Sequence, residues 1–323
     1  MINSLNVEKI LVVRNDRFGE FLLIIPALRA LKEKFKDAKI FAVVNPYVKE
    51  LAEVIPYIDE VIIWENRKHK FGEIILFIHK LRKEKFDLCI IFNPSKEFNI
   101  VCFLAGIPIR VGYARKWDFL LTHKIEDKKY LGLKHEIDYN LELVGIIGAN
   151  TNDKSLNLGI KRDINVLGIE NYKDSIVVHP WTSDKIKQWP VENFRDLVIK
   201  LVEELNEKVI IIGGKENLNI SNKYFHNLNN KKIIDLTGKT TLLALAVILK
   251  NSKILISGDS GPVHLASCVN TPVLAIFRND IPAKSPIRWG PRSKKSIVIA
   301  KNNLNDITVE EVFNRVKEVL QLL

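Results

Sequence analysis

Short apolar runs rich in β-branched residues alternate with segments of helical periodicity along most of the chain, and this alternation narrows the fold more than any other feature. The first run, KILVVR at residues 9–14, ends in a polar turn and precedes a helical pattern over residues 20–35. Continuous apolar runs are typical of parallel strands that helices cover on both faces. The first half is therefore predicted to form such a sheet. Its further strands are expected at residues 40–44, 61–64 and 88–92, and its further helices at residues 47–54, 71–85 and 97–104.

The same alternation begins again near residue 175. Residues 151–174 are polar and weakly periodic, which indicates a linker. At roughly 150 residues per domain, 323 residues fit two domains. We predict an N-terminal domain over residues 1–160 and a C-terminal domain over residues 161–323, and leave open whether the C-terminal helix packs back on the first. Strands of the second domain are expected at residues 176–179, 209–212, 233–236, 254–257 and 273–277, and helices at residues 191–205, 216–228, 242–250 and 262–269.

Composition narrows the function classes without selecting one. The formal charge of +11 suggests an anionic partner, such as nucleic acid, a membrane surface or a phosphorylated substrate. Nucleic acid is not expected, because no helix-turn-helix, zinc-finger or aromatic RNA-binding pattern is found. No apolar run approaches the ~18 residues of a membrane span, and the N-terminus lacks a secretory leader pattern. A cytoplasmic location is expected. Cys89, Cys102 and Cys268 are too few and too scattered for a disulfide framework, and Cys89 and Cys102 are expected to be buried.

The loop after the first predicted strand, RNDRFGE, places Asp16 and Glu20 at the carboxyl end of that strand. Ligands of open α/β sheets bind beyond these ends. Gly19 allows a tight turn or the close approach of a substrate. The two carboxylates are therefore candidate site residues. The alternative is surface charge with an acidic first helical turn, which the helix dipole favours.

The second half contains a denser pattern, SGDSGPVH, between a predicted strand and a predicted helix. Pro262 occupies a favoured first-turn position. The free main-chain N–H groups of that turn, together with the positive helix end, form a natural site for a diphosphate. Asp259, Ser260 and His264 can add hydrogen bonds. The alternative is an ordinary helix cap.

Two further loops of the second half carry polar residues at strand ends. The segment WTSDKIKQWP follows the first strand, and its lysines can neutralise a phosphate, whereas Trp189 is expected to pack in the core. The segment GGKE is a glycine-rich turn but not GxGxxG, so a dehydrogenase is not expected. Its Glu216 can accept a hydrogen bond from a nucleotide ribose, or be an acid at a helix start.

The order of these blocks resembles glycosyltransferase family nine, the ADP-heptose:lipopolysaccharide heptosyltransferases. RNDRFGE followed by IIPALRALKEKF is similar to the family's N-terminal signature. KxWP, GGxE, DLTGKTTLLALAVIL and GDSGPVHLAS followed by TPVLAIF resemble its C-terminal blocks, and VGYARKWDFLLTHKI and HEIDYNLELVGIIG resemble its mid-chain segments. The resemblance implies an α/β fold of GT-B architecture, in which two Rossmann-like domains turn parallel sheets toward an interdomain cleft.

The resemblance also implies an activity, the inverting and metal-independent transfer of a heptose from ADP-heptose to a lipopolysaccharide core acceptor. By position, the family's base corresponds to Glu20, where the family usually has aspartate; Asp16 is the next candidate. No cofactor or metal is expected, because the chain lacks a DxD motif and a His/Cys cluster with ligand spacing. The donor-binding residues expected from the loops and the resemblance together are Lys187, Thr182, Ser183, Glu216, Asp259, Ser260, Gly261 and His264.

An anionic glycolipid acceptor calls for basic residues in the N-terminal half, and the family implies peripheral contact with the inner face of the inner membrane of a Gram-negative bacterium. Two stretches qualify, NRKHK at residues 66–70 and RVGYARK at residues 110–116. Arginine suits bidentate carboxylate contacts. Ordinary solvated loops are the alternative. The predicted acceptor-binding residues are Arg67, Lys68, Arg110 and Arg115.

Two other functions remain open at this point. One is a related transferase that uses another nucleotide sugar or another surface-glycan acceptor, since the reaction at the anomeric carbon does not fix the sugar. The other is a nucleotide-sugar-binding protein without catalysis, for which Glu20 in place of aspartate leaves room. Binding of different nucleotide sugars separates the first alternative from heptosyl transfer, and turnover separates the second.

Overall fold

The computed structural model describes residues 7–160 and 169–321. The chain divides into two compact units, Met1–Gly159 and Ile160–Leu323. Within the predicted linker, residues 161–168 lie outside the described residues. Each unit is an α/β layer structure with its own core.

Within residues 7–160, six strands form one parallel sheet in the order β3-β2-β1-β4-β5-β6. Strand β1, for example, is buried from Ile10 to Val13, as its continuous apolar run predicts. The strands are β1 Lys9–Val13, β2 Lys39–Val44, β3 Glu60–Ile63, β4 Leu88–Ile91, β5 Ile109–Tyr113 and β6 His123–Ile125. The helices are α1 Phe18–Leu22, α2 Ile25–Lys34, α3 Lys49–Glu53, α4 Phe71–Glu84, α5 Lys96–Leu104 and α6 Glu136–Gly145.

Within residues 169–321, a second parallel sheet has six strands in the order β12-β11-β10-β7-β8-β9. The strands are β7 Ile176–His179, β8 Val209–Ile211, β9 Ile233–Asp235, β10 Ile254–Gly258, β11 Val273–Arg278 and β12 Ile297–Lys301. The helices are α7 Val191–Leu205, α8 Leu218–Phe225, α9 Leu242–Lys250, α10 Gly261–Cys268, α11 Pro286–Trp289 and α12 Val309–Gln321.

Both sheets have the doubly wound strand order of a Rossmann fold. Counted within its own unit, each runs 3-2-1-4-5-6, and the order reverses between the first and fourth strands. The reversal lies between β1 and β4 in the first unit and between β7 and β10 in the second. Ligands of open α/β sheets bind beyond the carboxyl ends of strands at such a point. The fold therefore directs attention to the loops after these four strands.

The single helix predicted over residues 20–35 is instead two helices, α1 and α2. Pro26 occupies the first turn of α2. Proline has no main-chain N–H and its ring obstructs the preceding turn, so it starts a helix more readily than it continues one. The break leaves α1 as a short helix directly after the loop that carries Asp16 and Glu20.

The C-terminal helix α12 buries Val312, Phe313, Val316 and Val319 in the core of the second unit, with residues of α7 in the same cluster. Trp189 is fully buried and donates to the carbonyl of Ile307 over 2.9 Å, which confirms its predicted packing role. The three cysteines are free and buried, as expected for two of them. Across the described ranges, no helix combines the length and apolar character that a bilayer crossing requires.

Candidate active site

The loop after β1 places two carboxylates on one buried guanidinium. Arg14, the residue after β1, has its Nε 2.9 Å from Oδ1 of Asp16 and its Nη2 2.5 Å from Oε2 of Glu20. Its Nη1 donates to the carbonyl of Phe92, the residue after β4, over 3.1 Å. Arg14 thus spans the point where the strand order reverses. The structure brings together the two predicted catalytic residues.

Asp16 and Glu20 have opposite pKa shifts. Burial raises the pKa of Asp16 from 3.8 to about 7; Arg14 opposes this shift, and the charge of Glu20 adds to it. Burial alone would raise the pKa of Glu20 as well. The charges of Arg14 and Arg17 and an interaction with Asp16 outweigh burial and lower this pKa to about 2. Because the pKa of Asp16 is raised and that of Glu20 is lowered, Asp16 is the member of the pair that binds a proton more tightly. Such a pair can accept a proton from a bound hydroxyl once Asp16 is ionised.

A second charged pair lies behind Arg14. Glu136, the first residue of α6, is almost fully buried, and its Oε1 is 2.6 Å from Nζ of Lys129 and 3.9 Å from Nη2 of Arg14. The Lys129 ammonium also lies 4.3 Å from the ring centre of Tyr113. Buried charges remain ionised only when they are paired. Glu136 and Lys129 therefore help to fix the position of Arg14, and the sequence analysis did not predict a role for either residue.

Polar side chains connect the ends of three strands at the same edge. The amide of Asn93, after β4, donates to Asn15, after β1, over 3.2 Å, and Asn15 donates to the carbonyl of Trp64, after β3, over 3.3 Å. Trp64 stacks on His69 with ring centres 3.9 Å apart and donates to Glu97 over 2.6 Å. This edge is polar and aromatic, which suits a sugar. The sequence analysis included His69 in a candidate acceptor stretch but did not predict a role for the other four residues.

In the second unit, Ser260 begins α10 without using its side chain as a cap. Its Oγ is 2.8 Å from Oγ of Ser257, at the end of β10, and 3.1 Å from Nδ1 of His179, at the end of β7. Burial lowers the pKa of His179 to about 3, so its ring is neutral near pH 7. The Ser260 side chain therefore does not cap the helix, which was the alternative to a binding role. Gly261 is the first residue of α10, with Pro262 behind it, as the sequence predicts.

Lys187 is fixed beside this helix start. Its Nζ lies 2.5 Å from Oδ2 of Asp259, the residue after β10, and both side chains are largely buried. Glycine at residue 258 eases the approach of the loop that carries Lys187: a Cβ there would lie 3.2 Å from Cγ2 of Thr182, close enough that this side chain would have to shift slightly. A positive group and a helix N-terminus thus lie at the end of one strand, which is the arrangement that binds phosphates. Asp259, an anion, positions Lys187.

The other predicted donor residues differ in burial and in their contacts. Thr182 is partly buried and its Oγ1 donates to the carbonyl of Asp184 over 2.9 Å, whereas Ser183 is exposed. Glu216 is exposed, and its carboxylate folds back over the main chain of Gly214, where a Cβ would collide with it. His264 is buried in α10, with its ring centre 6.2 Å from that of Trp289. A cluster at the start of α10 therefore contains four of the predicted residues, Lys187, Asp259, Ser260 and Gly261. His264 follows within α10.

The predicted acceptor residues do not lie together in the first unit. Arg110 lies near the amino end of β5, where its guanidinium donates to the carbonyls of Leu120, Ile107 and Pro108. The bond to Leu120 fixes the loop before β6, and Arg110 lies at the edge of the sheet opposite to the candidate site, so its acceptor role stays a prediction that this position does not favour. The reason is that a strand's first residues lie at the sheet edge away from its carboxyl end.

The remaining three lie after strand ends. Arg67 forms ion pairs with Glu65 at 2.9 Å and with Glu73 at 2.6 Å, which neutralise much of its charge. Lys68 is exposed. Arg115 is exposed and lies 2.9 Å from Asp127. Only Lys68, of these three, has no ion pair among the described contacts.

Curated relatives match this chain over most of its length. A curated relative from Haemophilus influenzae, "Putative glycosyltransferase", is 27% identical, and the alignment covers 88% of this chain and 86% of that protein. "Lipopolysaccharide heptosyltransferase 3" of Escherichia coli K12 is 22% identical, with 94% and 91% covered.

Among residues 7–160 and 169–321, no three His, Cys, Asp or Glu side chains are grouped as metal ligands would be.

Solved structures share the fold over nearly the whole chain. A family 9 glycosyl transferase from Veillonella parvula matches with a TM-score of 0.85 at 21% identity and covers 99% of this chain and 100% of its own. E. coli ADP-heptose lps heptosyltransferase II matches with a TM-score of 0.83 at 22% identity, with 97% and 99% covered. The predicted α/β fold of GT-B type, with two parallel sheets, is therefore confirmed.

The family model of glycosyltransferase family 9 (heptosyltransferase) matches residues 74–316, about three quarters of the chain. The match includes Lys187 and the β10–α10 turn, and it begins after the loop of Asp16 and Glu20. The family that the motifs suggested is thus found independently of that loop. This chain belongs to glycosyltransferase family 9, the heptosyltransferases.

Proposed function

We propose that this chain transfers a heptose from ADP-heptose to the core of a lipopolysaccharide precursor. The observation that carries the proposal is the β10–α10 turn, where Lys187 lies beside a helix start and is held there by Asp259. Family membership supplies the reaction class. The location that follows is the cytoplasmic face of a membrane that holds the acceptor.

The donor is an ADP-activated sugar that binds the second unit. The related E. coli heptosyltransferase WaaC has been solved with ADP and with ADP-2-deoxy-2-fluoro heptose. In this chain the diphosphate binds at the start of α10, where Lys187 supplies a compact positive charge. Glu216, exposed after β8, accepts hydrogen bonds from the ribose. Ser260 binds the diphosphate through its main chain at the start of α10, while its hydroxyl is hydrogen-bonded to Ser257 and His179.

The base is the Asp16–Glu20 pair on Arg14. The acceptor hydroxyl attacks the anomeric carbon from the side opposite the nucleotide, which inverts the configuration, and its proton passes to the pair. Arg14 holds Glu20 ionised, and burial keeps the pKa of Asp16 near neutrality, where a general base is most effective. The sequence analysis assigned this role to Glu20 with Asp16 second; the contacts favour the two acting together.

The leaving group is ADP, and negative charge grows on its diphosphate as the sugar bond breaks. Lys187 and the N-terminus of α10 stabilise this charge, and such preorganised electrostatics often accelerate a reaction more than any other single effect. We propose that these two groups act without a metal ion or other cofactor. The acceptor is an anionic glycolipid recognised by the first unit, with Lys68 and Arg115 as its basic contacts.

Thermal stabilisation by nucleotides tests the donor assignment. A ligand at 100 times its Kd raises the free energy of unfolding by about 2.7 kcal/mol. ADP and ADP-heptose are expected to raise the Tm of the wild type, and UDP- and GDP-sugars at the same concentrations are expected to leave it unchanged. Stabilisation by UDP- or GDP-sugars with none by ADP compounds would assign another donor to the same fold.

A further inference from the structure

Several large apolar side chains are exposed on two segments of the first unit, after β5 and after β6. Phe119 is 71% exposed, Tyr130 67%, Leu133 70% and Trp117 45%. Single exposed apolar residues are ordinary on a protein surface, but grouped ones mark interaction sites. This group therefore calls for a partner.

The two segments form one surface. The strands that precede them are neighbours in the sheet, and the pair Arg115–Asp127, at 2.9 Å, joins one segment to the other. The rings of Trp117 and Phe119 lie 5.8 Å apart. We call this surface the apolar rim. Its members are Trp117, Phe119, Tyr130, Leu131 and Leu133.

The first segment is fixed in a strained conformation. Lys116 and Trp117 have φ values of 51° and 66°, in the left-handed region that bulky residues rarely adopt. The buried amide of Asn99 holds them there, since it donates to the carbonyl of Lys116 over 3.0 Å and to that of Trp117 over 3.4 Å. Strain of this kind persists where the surrounding structure over-determines a loop, and such loops cluster at functional sites. The exposure of Trp117 is thus built into the fold.

The second segment is fixed at its base. Lys129 and Glu136, which flank it, form the buried ion pair described above. Between them Tyr130, Leu131 and Leu133 remain exposed, and Gly132 makes the turn at a φ of 61°. The segment therefore projects apolar residues from a rigid base.

Lysines surround the rim. Lys96 lies 5.4 Å from the ring centre of Trp117, and the exposed Lys116 donates to the carbonyl of Pro94. Lys128 and Lys134 are exposed as well and pair with the exposed carboxylates of Glu126 and Glu142, surface ion pairs that contribute little. Aromatic rings with flanking lysines are typical of surfaces that lie in the headgroup region of an anionic bilayer. Protein–protein interfaces are depleted in lysine, so the composition favours lipid.

We propose that the apolar rim and its lysines dock this chain on an anionic lipid bilayer. The proposal rests on the proposed function in one respect, because an enzyme that acts on a glycolipid must reach the membrane surface. It adds to that function the surface that makes the contact and the lipid charge that it requires.

Vesicle sedimentation with the full-length protein tests the proposal. Binding is measured to vesicles of phosphatidylcholine alone and of phosphatidylcholine mixed with phosphatidylglycerol, at low and high salt. The wild type is expected to bind the mixed vesicles and to be released by salt. The variants Trp117→Ser with Phe119→Ser, and Tyr130→Ser with Leu133→Ser, are each expected to lose about tenfold or more in partitioning. Leu76→Ser, at an equally exposed apolar position of α4, is the matched control and is expected to bind as wild type does.

Three outcomes overturn the proposal: no wild-type binding to mixed vesicles, an equal loss in the Leu76→Ser control, or undiminished binding by both double variants. Self-association of the wild type that the double variants abolish, with no vesicle binding, would assign the rim to a protein interface instead. Transfer to a water-soluble, deacylated acceptor is measured in parallel. It is expected to be unchanged in the double variants. Vesicle binding without any heptosyl transfer would contradict the proposed function and leave the docking surface standing.

Discussion

Asp16 and Glu20 share one guanidinium, and this gives two similar carboxylates different acid strengths. Glu20 holds the shorter contact with Arg14 and has a lowered pKa, whereas burial dominates for Asp16 and raises its pKa to about 7. The sequence identified both residues from their place after a strand. It placed Glu20 first and Asp16 second by resemblance, and it could not predict their opposite pKa shifts, because these depend on contacts with Arg14 that form only in the fold.

Transfer is expected to accelerate with pH through about 7, since Asp16 must lose its proton before the pair can accept one. Glu20→Gln is expected to lower turnover by ~10²–10⁴-fold with donor affinity unchanged. Asp16→Asn is expected to remove the rise near pH 7. The measurement is kcat against pH with the donor saturating. Unaltered turnover in Glu20→Gln, or a rise near pH 7 that persists in Asp16→Asn, would contradict a shared base.

The same titration predicts a stability effect. Because the pKa of Asp16 is higher in the folded state than its ordinary value of 3.8, the unfolded chain loses this proton first. The contribution of Asp16 to the free energy of unfolding therefore decreases as pH rises from about 4 to about 7 and is constant above that. Relative to wild type, Asp16→Asn is expected to gain stability over this range. A difference in Tm that does not change between pH 4 and pH 7 would show that Asp16 titrates normally.

Lys187 differs from its neighbour Lys185 in having a buried partner, although both belong to the same short turn. Lys187→Ala is expected to weaken ADP binding about 10- to 100-fold, because a charge-assisted contact to phosphate contributes about 1.5–3 kcal/mol. Lys185→Ala is the matched control and is expected to bind ADP normally. Calorimetric titration with ADP measures both. Equal affinities in the two variants would remove Lys187 from the phosphate site.

At the scale of elements, most strands with continuous apolar runs were predicted, whereas β5, β6 and β12 were not, although β12 carries such a run. The strands at residues 9–14, 40–44 and 254–257 were predicted nearly at their observed bounds, because both faces are buried and their sequence is apolar throughout. Strand β6, His123–Ile125, is three residues long and partly exposed at a sheet edge, so it carries no apolar run. The helical pattern over residues 20–35 predicts one helix, but Pro26 divides it into α1 and α2.

Arg110 shows the limit of reasoning from charge at this scale. The sequence pattern presents residues 110–116 as one basic stretch, but β5 begins at Ile109. Arg110 and Arg115 therefore lie at opposite ends of one strand. Without that strand, no pattern in the sequence separates an arginine that fixes a loop from one that faces a ligand.

The start of α6 offers a test of the buried pair. Glu136→Gln leaves Lys129 and Arg14 without the carboxylate between them, and breaking a buried pair costs about 3–5 kcal/mol. The matched control is Glu142→Gln on the same helix, whose partner Lys134 lies at the surface; because exposed ion pairs contribute little, it is expected to leave the free energy of unfolding nearly unchanged. Urea unfolding measures both. A similar small loss in each would show that the Glu136 pair does not hold this part of the unit together.

At the scale of the whole molecule, two units with the same strand order carry different chemistry at equivalent positions. The ends of β1 and β4 hold an arginine with two carboxylates, which suits a proton acceptor. The ends of β7 and β10 hold a lysine beside a helix start, which suits a diphosphate. The sequence predicted this division because the motifs lie at strand ends. It could not predict the contacts of the neutral His179 with Ser257 and Ser260, because His179 lies far from both serines in the chain and meets them only at the reversal of strand order.

The most direct test of the account is a transfer assay with defined substrates. The purified chain is incubated with ADP-heptose and a heptose-deficient lipopolysaccharide core acceptor, and the products are analysed by mass spectrometry and by the anomeric configuration of the new bond. The account predicts addition of one heptose with inversion and release of ADP, and loss of the product with Lys187→Ala. Transfer from a UDP- or GDP-sugar with none from ADP-heptose, or retention of configuration, would contradict it.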